Sequence, residues 1–238
     1  MSVKPTQLTV NVTETESVTA LFYPASKKNR ARVTVVLGHG AGADQLSGFM
    51  RMVASGLAAR GFDALTFNFL YKEKGKSVPD PKAKLESCYR TVIDAALRHP
   101  KLKKNCLVIG GKSMGGRIAS RVAAASPERI DGLVFFGYPL HPPGRLDKMR
   151  DEHLQQINAP MLFCQGQRDA FGTEEEIRGV IKKRRLPARL YVIEGIIGRR
   201  HVDAVSADDA RSGIDEPLKG PADAHQNRSA SPAFSAGC

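Results

Sequence analysis

The chain has 238 residues, a formal net charge of +12 and 42% hydrophobic residues, a composition that sets a globular protein with one sizeable core as the expectation. No apolar stretch approaches the roughly 18 residues of a membrane-crossing helix, and Met1 to Pro5 carry no apolar run suited to a signal peptide. A cytoplasmic location without a membrane partner is therefore expected.

Gln7 to Thr13 and Val18 to Tyr23 read as two strands joined by a polar turn, an N-terminal antiparallel hairpin. The chain then alternates. Val33 to Leu37 is a β-branched run, and Phe49, Val53 and Leu57 follow at helical spacing. Phe62 to Phe67 is the next strand, followed by a charged Gly/Pro loop from Lys72 to Lys82. Leu85, Cys88, Tyr89, Val92 and Ala96 mark a helix that ends near Pro100. Strands are expected again at Leu107 to Gly110, Leu133 to Phe136, Met161 to Gln165 and Leu190 to Ile193, with a helix over Arg117 to Ala125. Uniformly apolar strands that alternate with helices imply a mostly parallel sheet covered on both faces, an α/β fold. Right-handed crossovers place the loops that follow these strands along one sheet edge, where α/β active sites form.

Residues 202–238 break this pattern. They hold six acids against three bases, and their large apolar residues are Val202, Val205, Ile214, Leu218 and Phe234. Such a segment does not offset its ordering entropy, so the expected division is a domain over 1–201 and a disordered tail over 202–238. The basic excess therefore lies in the body. A basic body can attract nucleic acid, but no aromatic-interleaved basic motif accompanies it. The densest cluster, Lys182 to Arg185, suits the C-terminal end of a helix. It reads as a solvated face, and nucleic acid is not the expected partner. The cysteines show no C-x-x-C spacing, so neither a zinc site nor a redox pair is indicated. Cys106 and Cys164 sit in apolar runs and read as buried thiols.

Gly111-Lys112-Ser113-Met114-Gly115 stands between an expected strand and an expected helix. A G-x-S-x-G in that setting is the nucleophile elbow of the α/β-hydrolase fold, whose glycines let a serine stand clear on a very tight turn. A P-loop reading of Gly110 to Ser113 fails because Cys106 stands where its first glycine would be. A dinucleotide reading of Gly38-x-Gly40-x-x-Ala43 fails because the next strand ends at Asn68-Phe69, with no carboxylate for a ribose. Leu37 to Ala43 instead fits an oxyanion loop, with N–H donors expected from Ala41 or Gly42 and from Met114. His39 precedes the serine, against the fold's Ser…Asp…His order, and reads as structural. Asp169, just past the fifth parallel strand, is either the triad acid or a cap of the segment before Glu174, and chain order favours the acid. His201 follows Asp169 near the last strand, and it reads either as the general base or as an exposed histidine of a basic loop.

Several stretches together resemble one group of α/β-hydrolases, the dienelactone-hydrolase-related group that includes testis-expressed protein 30 and subunit 3 of the NSL complex. They are Leu37 to Ala43, Ile109 to Ala119, Gly137 to Gly144, Glu152 to Leu154 and Gln165 to Gly172. The resemblance spans about residues 20–195. It implies Ser113 and Asp169 at triad positions and a site lined by Tyr138 to Gly144. The expected function is a serine hydrolase acting on a small ester or thioester, the alternative being a non-catalytic hydrolase-fold interaction module or an inactive product with an altered C-terminus, and no metal or organic cofactor is indicated. The resemblance also implies a Glu-Gly-Gly-Asp-His loop after the last strand and then an amphipathic helix. Here Glu194-Gly195 leads instead into Ile196-Ile197-Gly198-Arg199-Arg200-His201, and no helical pattern follows. The expectation is a C-terminus replaced from about codon 196, for instance by a frameshift. Another reading frame of the gene would then encode the Gly-Asp-His and the helix.

Overall fold

The computed structural model describes residues 4–125 and 130–194. Eight strands form one sheet in the order β1-β2-β4-β3-β5-β6-β7-β8. They are β1 (Thr6–Asn11), β2 (Ser17–Tyr23), β3 (Val33–Gly38), β4 (Asp63–Phe67), β5 (Cys106–Lys112), β6 (Gly132–Phe136), β7 (Met161–Gly166) and β8 (Ala188–Ile193). β1 and β2 form the expected antiparallel hairpin, β2 pairs antiparallel with β4, and the remaining pairs are parallel. The first strand stops at Asn11 because Val12 and Thr13 already bond to Glu16 across the turn.

The helices are α1 (Gly48–Ala59), α2 (Leu70–Glu73), α3 (Lys82–Arg98), α4 (Met114–Ala125) and α5 (Glu174–Arg184). Strand side chains alternate between the two faces of the sheet. Val36, Leu107, Ile109, Leu133 and Phe135 join one core with residues of α3, α4 and α5. Val35, Leu37, Val108, Val134 and Phe136 pack on the other face with Met50, Phe49 and Val53 of α1. Leu162 of β7 is 40% exposed. The amphipathic helix that the resemblance implies, the tail over 202–238 and the boundary at residue 201 all lie outside the described residues.

Three sequence expectations need correction. α4 begins at Met114, directly after the serine, because Gly115 and Gly116 are accommodated inside the helix. The loop from Lys72 is partly helical, since Phe69 and Leu70 are buried and anchor the short α2. Cys164 is a buried free thiol as expected, whereas Cys106 opens β5 and is only half-buried.

After β3 the chain moves outward to β4, then returns to the other side of β3 to form β5. The strand order therefore reverses between β3 and β5, and a crevice opens there at the carboxyl ends of the strands. The register sets Gly38 beside Gly111 at that edge. At the opposite edge, buried Asp63 accepts from the Ala25 N–H, from Arg30 and from Asn105, which ties loops together far from the crevice.

Candidate active site

Ser113 is the single residue between β5 and α4, with φ at +49°. A non-glycine residue in that region costs on the order of 1–2 kcal/mol, so the surrounding contacts must hold it there. The Ser113 N–H donates to the Phe136 carbonyl (3.0 Å), and its own carbonyl accepts from the Arg117 N–H (3.1 Å). The elbow glycines pack directly on β3. A Cβ on Gly111 or on Gly115 would stand 2.1 Å from the Gly38 carbonyl oxygen. Gly111 also needs φ of +145°. Gly38 is small in turn because the Tyr89 ring edge and the Gly115 Cα lie beneath it, at 3.0 and 3.1 Å from where a Cβ would be. The Tyr89 hydroxyl lies between β3 and β5, near the carbonyls of Val36 (2.8 Å) and Gly110 (2.7 Å).

The loop after β3 lies against the elbow. A Cβ on Gly40 would stand 3.8 Å from the Ser113 Cβ. Among the described residues the N–H groups of Ala41, Gly42 and Met114 have no protein acceptor. Two side chains fix this loop. The Tyr71 hydroxyl donates to the Ala41 carbonyl (2.8 Å). His39 is fully buried, with its Nδ1 on the Gly40 carbonyl (2.8 Å) and its Nε2 accepting the Phe69 N–H (3.2 Å). That pairing sets the neutral tautomer with the proton on Nδ1.

Burial lowers the His39 pKa to about 4, against the opposing pull of the Gly40 carbonyl and of Asp44. The neutral form is thus the stable one, and protonation would break the Phe69 bond. A histidine whose folded pKa is depressed supports the fold above its unfolded value near 6.5 and loses that support as the pH falls towards 4. His153, lowered to about 4 by burial and by Arg121 and Arg117, titrates in the same direction. Relative to a variant lacking both His39 and His153, the urea midpoint should therefore drop between about pH 6.5 and pH 4.5, a comparison that cancels the opposite contributions of His141 and Asp169, whose pKa values are raised. An unchanged difference over that window would contradict the assignment.

Asp169 stands on the loop after β7, 9% exposed. One carboxylate oxygen, Oδ1, accepts the Phe171 N–H (3.0 Å). The other has no partner among the described residues. Burial raises its pKa, opposed by the Phe171 N–H and by the charges of Lys112 and His141. Asp169 therefore lies within electrostatic reach of Lys112, the residue before the serine. It does not cap α5, since that helix starts with a complete capping box of Thr173 and Glu176.

Sequence reasoning missed Gln165. Its side chain is fully buried at the end of β7. The Tyr138 N–H donates to its Oε1 (2.8 Å), and its Nε2 donates to the Gly172 carbonyl (2.6 Å). One amide thus clamps the loop after β6 to the loop that carries Asp169, and the His141 N–H to Phe171 carbonyl bond (3.1 Å) reinforces it. A polar residue closing the apolar run Met161 to Cys164 was the available signal. Gln165→Leu leaves both loop groups buried and unpaired, so it should lower stability by about 2–4 kcal/mol in chemical denaturation. A loss under about 0.5 kcal/mol would refute the clamp.

The sheet edge thus gathers Ser113, the Gly40 loop and the Asp169 loop. His201 lies outside the described residues. Among the described residues no group of three or more His, Cys, Asp or Glu side chains could hold a metal ion, and no helix is long and apolar enough to cross a membrane.

A family model described as an alpha/beta hydrolase domain matches residues 31–195. The chain belongs to the alpha/beta hydrolase domain family. Solved structures share this hydrolase fold. An alpha-beta serine hydrolase homologue from Coxiella burnetii superposes with a TM-score of 0.65 at 18% identity, covering 82% of this chain and 88% of that one. A dienelactone hydrolase from Anabaena variabilis gives 0.66 at 20% identity, covering 83% and 91%. Est1E from Butyrivibrio proteoclasticus, solved with ferulic acid bound, gives 0.67 at 15% identity, covering 82% and 93%. At these identities the likeness is one of fold.

Proposed function

We propose that this alpha/beta hydrolase is a serine hydrolase that cleaves a small ester or thioester through an acyl-enzyme, with Ser113, His201 and Asp169 as its triad. The observation that carries the reading is the left-handed Ser113, held between two glycines under a loop whose Ala41 and Gly42 N–H groups have no acceptor among the described residues. Ser113 Oγ attacks the substrate carbonyl while His201 takes its proton. The N–H groups of Met114 and of Ala41 or Gly42 hold the resulting oxyanion, typically the largest single contribution to the rate. His201 returns the proton to the departing alcohol or thiol, and water then releases the acid from the serine ester by the same steps.

Asp169 would orient the base through its unengaged oxygen. Its place is consistent with this role, because the Gln167 N–H donates to the Ile193 carbonyl (3.0 Å), so the chain leaves β8 beside the Asp169 loop. The chemistry is proton and acyl transfer and asks for no metal or cofactor. The motifs at Leu37 to Ala43, Ile109 to Ala119 and Gly137 to Gly144 support membership of the narrower dienelactone-hydrolase-related group, with testis-expressed protein 30 and NSL complex subunit 3.

A second reading has its own observation. The family match ends at residue 195, where the sequence departs from the Gly-Asp-His loop. A hydrolase-fold interaction module without a working base would carry the same elbow. A fluorophosphonate probe separates the two. Labelling of Ser113, absent in Ser113→Ala, is expected for the enzyme, whereas an unlabelled wild type selects the module.

A further inference from the structure

Away from the Ser113 crevice, a cavity of about 210 Å³ lies between α4 and the segment that follows β6. Arg117, Arg121, Met149, Arg150, Glu152 and His153 line it. Arg117 and Arg121 stand one and two helical turns beyond the serine, roughly 6 and 12 Å along the helix axis.

The cavity is about half open to solvent, and hydrogen bonds fix the backbone of its lining. The Tyr138 hydroxyl donates to the Arg150 carbonyl (3.1 Å), and the Arg150 N–H donates to the Leu140 carbonyl (2.8 Å). Ser120 Oγ lies 2.8 Å from His153 Nε2 and 3.2 Å from the Tyr138 hydroxyl. Backbone and buried hydroxyls therefore hold Arg150 and His153 against α4.

Its charges are out of balance. Glu86 engages Arg121, and Arg184 engages Asp151. Arg117 and Arg150 have no carboxylate partner among the described residues, and the Arg117 Nε is buried with no acceptor among them. Glu152 stands exposed on its turn. Burial, together with the charges of Arg150 and Arg121, lowers the Arg117 pKa, and Arg121 and Arg117 help keep His153 neutral. Two guanidinium groups to which no carboxylate is bonded, with the exposed Glu152 the one carboxylate in the lining, are costly unless a ligand supplies a counter-charge.

We propose that this cavity binds a small phosphate monoester, with Arg117 and Arg150 gripping the phosphoryl group and Arg121 beside them. A phosphate monoester carries close to two negative charges near neutral pH, which matches two unpaired cations, and guanidinium meets phosphate oxygens in bidentate geometry. A monocarboxylate would leave one cation uncompensated. The inference does not depend on the Ser113 chemistry.

The test is calorimetric titration of the full chain with inorganic phosphate and with phenyl phosphate, against acetate at equal ionic strength. Saturable binding of both phosphates, at least about tenfold tighter than acetate, is expected. Arg150→Gln, which keeps the backbone bonds of residue 150, should weaken phosphate binding at least about tenfold. It should leave fluorophosphonate labelling of Ser113 unchanged. Ser113→Ala should bind phosphate as the wild type does. Should Arg150→Gln fail to fold, phenylglyoxal modification of the wild type serves instead, and phosphate should protect Arg117 and Arg150. Phosphate binding no tighter than acetate, equal binding by wild type and Arg150→Gln, or no protection of these arginines would overturn the proposal.

Discussion

Ser113→Ala is expected to lower kcat/KM for p-nitrophenyl acetate by at least about 10⁴-fold, since the attacking atom of a triad is worth that much even when the oxyanion donors remain. The residue is held at φ of +49°, and alanine is no better suited to that region than serine, so the melting temperature should barely move. Ser113→Gly should likewise abolish turnover, yet raise stability by about 1 kcal/mol, because glycine adopts this conformation without strain. Activity and stability would then change in opposite directions at one position, the mark of a strained functional residue. Unchanged turnover in Ser113→Ala would sink the assignment of the nucleophile.

Gly115→Ala is expected to cost at least about 4 kcal/mol and to abolish activity, a larger loss than most single substitutions produce. Its Cβ would meet the oxygen, carbon and Cα of Gly38 at 2.1, 2.3 and 2.9 Å. All three are backbone atoms of a strand in the middle of the sheet, so no side chain can rotate aside. Either α4 lifts or the end of β3 moves, and both displace the Gly40 loop, proposed to hold the oxyanion, from Ser113. Gly42→Ala is the control. Nothing lies within 4 Å of its Cβ position, so its stability should change by no more than about 1 kcal/mol. A Gly115→Ala protein with wild-type melting would show that the elbow is looser than its contacts imply.

The local parts of this architecture were legible in the sequence. Strand after strand appears as a short apolar run because both faces of a parallel sheet are buried, and the period of α3 shows in Leu85, Cys88, Tyr89, Val92 and Ala96, of which all five are buried. The elbow shows because close packing of helix on strand admits only glycine at 111 and 115. The position of Asp169 on the loop after β7 shows because loops that follow parallel strands share one edge, while its role as the acid belongs to the proposal. His201, which chain order suggests, and the replacement of the C-terminus, which the departure from the resemblance suggests, both fall outside the described residues and stay expectations.

Other parts were not legible, for a common reason. Gln165, Tyr71 and Tyr89 act on groups 7 to 53 residues away in the chain, and no periodicity reports such a contact. Nothing in the spacing of Arg117 and Arg121 marks them as a site. Only the path of the loop after β6 sets Arg150 and His153 against them and turns a polar stripe into a walled cavity. The sequence by itself determined the sheet, its longer helices apart from where α4 begins, and the serine turn, since those follow from burial period and the steric demands of glycine. The tertiary structure alone decided which polar groups meet at the crevice and which cations stand without partners, because both depend on distances between segments that local sequence does not encode.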